Sequence, residues 1–152
     1  MLSRVDVLRL YLGRDGVVPQ LEGRSQVAVI EELLRVLVRG SRGLDFEVLR
    51  AGLLAREAAG STFVGDGVAC PHVHTPLVSR LMTVVGVAPE PVAFGDGGMA
   101  RIFVLTLSPR RMNCPYMQFI TAMLTQLRSV RRREAILGAQ DGRLIRRILL
   151  ES

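Results

Sequence analysis

Residues 56–76 read REAAGSTFVGDGVACPHVHTP, and the texture of the chain changes in the middle of them. Arg56 to Gly60 close a run of helical spacing, LDFEVLRAGLLAREAAG, in which Phe46, Leu49 and Leu53 share one stripe, Asp45 is the candidate N-cap and Gly60 the terminator. Beyond Gly60 the segments become short, rich in valine and punctuated by glycine and proline, which is strand texture. TFVGDGVAC is the first of them, and RLMTVVGVA, PVAFG and ARIFVLTLS follow as far as Leu107. Both histidines of the chain, His72 and His74, fall inside the quoted stretch.

On the N-terminal side, VAVIEELLRVLVRG carries apolar residues at 27, 30, 34, 37 and 38, with Ser25 as candidate cap and Gly40 just past the end. On the C-terminal side, CPYMQFITAMLTQLRSV returns to helical spacing through Met117, Ile120, Leu124 and Leu127. Pro115 sits at a favoured first-turn position, with Cys114 or Asn113 near the cap. A last helix is expected in DGRLIRRILLES, on Leu144, Ile145, Ile148 and Leu149. Helices, then strands, then helices predict an α/β domain with a mixed β-sheet flanked by helices.

A length of 152 residues at 49% hydrophobic content suits one compact domain over 1–152. The longest charge-free apolar run, Leu81 to Pro89, falls far short of the roughly 20 residues that cross a bilayer. Arg4 and Arg9 interrupt the region where a signal peptide needs an apolar core, so a cytoplasmic protein without membrane insertion is expected. Cys70 and Cys114 form no CxxC pair and no disulfide framework, and read as small buried hydrophobes. The net charge is +6, yet all 20 basic residues are arginine, a bias of the whole chain. The densest basic stretch is RSVRRRE, Arg128 to Glu134; with two tyrosines, no tryptophan and no groove-reading motif, no nucleic-acid partner is expected.

The histidines carry the chemistry. His72 follows a presumed buried strand, Gly67 to Cys70, and adjoins Pro71, so the backbone is expected to leave the sheet there and present the imidazole at a strand end, where open α/β sheets bind ligands. Neutral imidazole is nucleophilic near pH 7 and suits reversible phosphoryl relay. The plainer alternative is a solvated or structural loop histidine. A metal site on Cys70, His72, His74 and Cys114 has ligands of the right type, but their spacing is no established zinc pattern and Pro71 stiffens the turn, so neither metal nor cofactor is expected.

The wider pattern around His72 resembles the active-site segment of the type-2 enzyme IIA components of the bacterial phosphotransferase system (PTS), the fructose, mannitol and nitrogen-regulatory class. Their run of Arg-Glu, Gly-Ser-Thr and Gly-x-Gly-Ile-Ala-x-Pro-His is matched by Arg56-Glu57, Gly60-Ser61-Thr62, Gly65, Gly67-Val68-Ala69 and Pro71-His72. PEPVAFGDGGMARIFVLTLSP is similar to the family's following segment and central strand, and SQVAVIEELLRVLV to its first helix. The resemblance implies the phosphotransferase/anion transporter-like fold. It implies His72 as phosphoryl acceptor through Nε2, with phosphate arriving from the phosphohistidine of a carrier protein, phospho-HPr. The hydroxyls of Ser61 and Thr62 and the charge of Arg56 are its candidate stabilisers; Arg56 reads equally as an exposed helix-end residue. A IIB domain or a regulatory target is the implied downstream partner.

Three features depart from the family pattern. Tyr116, in YMQFI, stands where relatives often have a second histidine, and its phenol carries no positive charge at neutral pH. His74 stands where many have arginine or lysine, either as a weak cationic contact to phosphate or as a solvated residue. The basic chain opposes a basic carrier unless Glu57, Asp66, Glu90 and Asp96 form a local acidic patch. The expected function is a PTS histidine phosphocarrier, regulatory because no IIB or membrane domain is attached. The alternative is an interaction module that kept the fold, lost phosphotransfer and acts by binding alone.

Overall fold

The computed structural model describes residues 1–111 and 113–152, with only the backbone for Asn113 and Cys114. The expected roles of Cys114 and Asn113 at a helix cap, and of Cys114 as a metal ligand, therefore lie outside the described side chains.

The chain opens with helix α1, Arg4–Tyr11, and strand β1, Leu12–Val18. Helices α2, Gln26–Arg39, and α3, Phe46–Ala59, follow. The caps are those the sequence names: Ser25 accepts from the Ala28 N–H and Asp45 from the Val48 N–H, each supplying one missing first-turn acceptor. Next come β2, Phe63–Gly65, β3, Val68–Ala69, β4, His72–Thr75, β5, Met82–Ala93, and β6, Met99–Pro109. Helices α4, Asn113–Leu127, α5, Val130–Gly138, and α6, Gly142–Leu149, complete the order.

The sheet is mixed, in the order β1-β5-β6-β3-β2, with β4 also on β6. β5 and β6 are its antiparallel centre, and β1, β3 and β4 join them in parallel. Alternation along the central strands sorts side chains to two faces. Val85, Val87, Ile102 and Val104 pack with α1, α4, α5 and α6, whereas Val84, Ala88, Phe103, Leu105 and Leu107 pack with α2 and α3. The expected mixed sheet flanked by helices is the fold observed.

Several details differ from expectation for identifiable reasons. RLMTVVGVA and PVAFG are one strand, β5, whose register shifts between Val87 and Val92, where Pro89 and Pro91 have no N–H to give the ladder. The buried stripe of α4 runs through Tyr116, Phe119, Ile120, Met123 and Leu127, and the expected Met117 is exposed, as are Leu144 of α6 and Val27 of α2. Arg128–Glu134 spans the α4–α5 junction. Arg133 donates to the Leu127 and Arg128 carbonyls, and Arg132 to those of Gln126 and Ile148, so these arginines close helix C-termini.

The chain does not leave the sheet at Pro71. The Thr106 N–H donates to the Pro71 carbonyl, and the ladder resumes with His72 opposite Thr106 and His74 opposite Ser108. Proline interrupts the edge of β6 without ending it. Both histidines therefore lie on one strand, two residues apart, and share a face.

Candidate active site

α3 covers one side of β4: Gly52 stands so close to Val73 that an added methyl would meet its Cγ2 at 3.3 Å. The opposite side carries the two imidazoles, and α4 lays Tyr116 against them. The Tyr116 ring is 4.9 Å from that of His72 and 5.2 Å from that of His74, and the two imidazoles are 5.9 Å apart. Thus three of the residues singled out in the sequence meet as one cluster of rings, with His72 half-buried and Tyr116 buried. The rings of His72 and Tyr116 are tilted by 32°, so the tyrosine packs as a surface, and among the described residues no hydrogen bond joins its hydroxyl to the imidazole.

One hydrogen bond fixes the chemistry of His72. Nδ1 lies 2.9 Å from the carbonyl oxygen of Cys70, which can only accept, so Nδ1 carries the ring proton. The lone pair of the neutral ring is then at Nε2. Burial, with the nearby charges of Arg56 and His74, moves the His72 pKa below its ordinary 6.5, against the opposing pull of the Cys70 carbonyl and Glu57. The neutral, nucleophilic form is favoured at pH 7. Burial also raises the Tyr116 pKa, so this phenol remains protonated.

The Gly-Ser-Thr segment supports the same strand from behind. Glu57 continues the Leu49 and Leu53 stripe of α3 and is buried with it. It accepts from the Thr62 hydroxyl, from the Thr62 N–H at 3.2 Å and from the Gln26 amide at 3.1 Å. The Thr62 carbonyl accepts from the Cys70 N–H at 3.0 Å, and the Cys70 carbonyl holds His72. A continuous relay of hydrogen bonds and backbone therefore runs from α3 to the imidazole.

The Thr62 hydroxyl is committed to Glu57, whereas Ser61 is exposed and its oxygen accepts from the Phe63 N–H at 3.1 Å. Arg56 donates to the Gly60 carbonyl at 2.7 Å, a helix-end contact from which its charge still reaches His72. Gly95, at φ +71°, lies against Ser61 where a side chain would collide with it. Gly65, Asp66 and Gly67 all have positive φ, the requirement behind the Gly-Asp-Gly turn between β2 and β3.

Of the four acidic residues considered for a patch, Glu57 is buried in this network and Asp66 pairs with Arg133 at 3.8 Å. Thr106 and Ser108, fully buried and in register with His72 and His74, are further site residues beyond those expected from the sequence. Their signal was polar residues alternating at the end of an otherwise apolar strand. The Thr106 hydroxyl lies 3.3 Å from that of Thr83, so the floor of β6 beneath the histidines is polar.

Cys70 is 4% exposed, and burial pushes its thiol up to about 12, so it behaves as an inert core group. Among the described residues no group of three His, Cys, Asp or Glu side chains could hold a metal. Cys70→Val, nearly volume-conserving, is expected to change stability by less than about 1.5 kcal/mol, which chemical denaturation would measure.

Comparison with known families identifies the class of protein to which this fold belongs. Residues 11–152 match the model of the phosphoenolpyruvate-dependent sugar phosphotransferase system, EIIA 2, and the chain belongs to that family. It is 28% identical over 129 residues to the PTS system fructose-specific EIIA component of Haloferax volcanii, covering 84% of each chain. It is 25% identical over 123 residues to the PTS system fructose-specific EIIABC component of Bacillus subtilis, covering 80% of this chain and 19%, about a fifth, of that larger protein.

Among solved structures, the nitrogen regulatory protein IIA-Ntr of Neisseria meningitidis superposes with a TM-score of 0.84 at 25% identity, over 92% of this chain and 97% of that one. Enzyme IIA mannitol of Escherichia coli, solved in complex with phosphorylated enzyme IIB mannitol, superposes with a TM-score of 0.77 at 21% identity, over 91% and 96%. The relationship to the latter is one of fold. No helix among the described residues is long and apolar enough to cross a membrane.

Proposed function

We propose that the chain is a PTS phosphocarrier that accepts a phosphoryl group on Nε2 of His72 and passes it on. The observation that carries this reading is the Nδ1–H bond to the Cys70 carbonyl, which leaves Nε2 as the free nucleophile of a half-buried, neutral imidazole. In the forward step the Nε2 lone pair forms a bond to phosphorus as the N–P bond of the donor phosphohistidine breaks. The donor imidazole leaves with that electron pair. Both rings exchange one high-energy bond for another, so the work left to the protein is positioning and stabilisation of charge on the phosphoryl oxygens.

Arg56, the Ser61 hydroxyl and His74 are the groups we assign to that charge, with Thr62 holding the Gly-Ser-Thr segment and Tyr116 fixing the ring of His72. The donor is a phospho-HPr-like carrier. A IIB domain is the downstream acceptor by analogy with the mannitol pair, and fold likeness to IIA-Ntr favours a regulatory target. Incubation with phospho-HPr of the same organism, followed by intact-mass analysis, should give an acid-labile increase of one phosphoryl group. A wild-type chain inert in that assay would refute the carrier reading and favour a module acting by binding.

Two expectations follow from the site. NMR titration should place the His72 midpoint below 6.5, so the unfolded chain takes up a proton that the folded chain refuses as pH falls from 6.5 to that midpoint. Stability and the population of reactive imidazole both decline on the acid side. Arg56→Gln should move the midpoint upward, and a wild-type midpoint above 6.5 would contradict the environment described. Tyr116→Phe should alter the phosphorylation rate by less than about threefold, because the contact is ring on ring and loses no hydrogen bond to the imidazole; stopped-flow or quench assays would measure this.

A further inference from the structure

Away from the histidines, the start of β1 and the outer face of α6 enclose an open cleft of about 550 Å³. Arg9, Arg14, Arg143, Arg146 and Arg147 line it, with Leu150 and Glu151 completing the wall. Like charges gathered in one concavity repel one another, and little here offsets them. Glu151 is the acidic residue on the wall, and Arg9 has Asp6 at 3.7 Å. Among the described residues, Arg14, Arg143 and Arg147 make no ion pair.

The contrast with arginines elsewhere is chemical. Arg132 and Arg133 are spent on helix-end carbonyls, and Arg50 on Glu31 at 2.6 Å. In the cleft only Arg146 is tied in that way: its Nε donates to the Gly13 carbonyl and its Nη2 to the Leu12 carbonyl, each at 3.0 Å. Those bonds hold its guanidinium across the β1–α6 seam while Nη1 stays free of them. One fixed fork surrounded by four exposed ones matches an anion with several charged oxygens on adjacent centres. The wall has no aromatic ring and a single apolar side chain, Leu150, so nothing is offered to stack a base.

We propose that this cleft binds a diphosphate or triphosphate group, reading the phosphate chain alone, whether free or as the tail of a nucleotide. None of His72, His74 and Tyr116 lines it, so the inference stands apart from the phosphocarrier reading.

Calorimetric titration of the full chain with inorganic triphosphate at physiological salt tests it. Saturable one-to-one binding is expected, at least about tenfold tighter than that of orthophosphate or sulfate, since several arginine forks engage at once. ATP should bind within about threefold of triphosphate, because the base is not recognised. Arg143→Gln/Arg147→Gln should weaken triphosphate at least about tenfold, while Arg42→Gln/Arg110→Gln, which removes equal charge elsewhere, should leave it within about twofold. Both variants are checked for folding by thermal unfolding.

No saturable binding, an equal loss in the two double variants, or ATP about tenfold tighter than triphosphate would each overturn the proposal. So would duplex DNA bound tightly and not displaced by triphosphate, which would mark a nucleic-acid surface instead.

Discussion

His72→Gln is expected to abolish phosphoryl acceptance, with a loss on the order of 10³-fold or more, because no other ring nitrogen is presented in the same way. The glutamine amide has about the right length to occupy the site but no nucleophilic nitrogen. His74→Ala should keep the label, since His74 contributes at most part of the phosphate's charge environment. The readout is the intact mass after incubation with phospho-HPr, beside thermal unfolding to show that both variants fold. A label that persists in His72→Gln, or that vanishes equally in His74→Ala, would contradict the assignment.

The second large effect is expected at Glu57. Its carboxylate takes the Thr62 hydroxyl and N–H, and Thr62 is only 5% exposed. Glu57→Leu fits the apolar stripe of α3 but leaves both donors buried without an acceptor, a cost of about 3 kcal/mol. For a chain of this size that is a fall of roughly 6–12 °C in the unfolding midpoint. Because Thr62 is bonded to Cys70 and Cys70 to His72, phosphorylation should fall as well. Glu57→Gln, which keeps an acceptor oxygen, should recover part of both. A Glu57→Leu variant as stable as wild type would show that the network is dispensable.

How legible these features were depends on how local their causes are. α2 and α3 could be read with their caps, because Ser25 and Asp45 precede apolar stripes of helical period and glycines stand at the ends. α1 and β1 could not. Ser3 and Asp6 form a capping box at Arg4, but the eight-residue helix it starts buries only Leu8 and so carries no apolar stripe. β1 shows no apolar alternation, since it is an edge strand whose pairing with β5 comes from far along the chain.

β4 was hidden for a related reason. Pro71 argues for a break, and only the edge of β6, some thirty residues later, supplies the partner that carries the strand past it. The resemblance puts Tyr116 beside His72 and leaves His74 as either a phosphate contact or a solvated residue, whereas the ring-on-ring meeting of all three depends on the packing of α4. Glu57 was legible in principle: a carboxylate four residues beyond Leu53 on a buried stripe must find donors.

The central claim is that the Cys70 carbonyl holds the proton on Nδ1 and leaves Nε2 of His72 to take the phosphate. The most direct test is long-range ¹⁵N–¹H NMR with ³¹P coupling on the ¹⁵N-labelled, phosphorylated protein. Phosphorus coupled to Nε2 of His72, with Nδ1 still protonated, is the predicted result; phosphorus on Nδ1, or on His74, would contradict it.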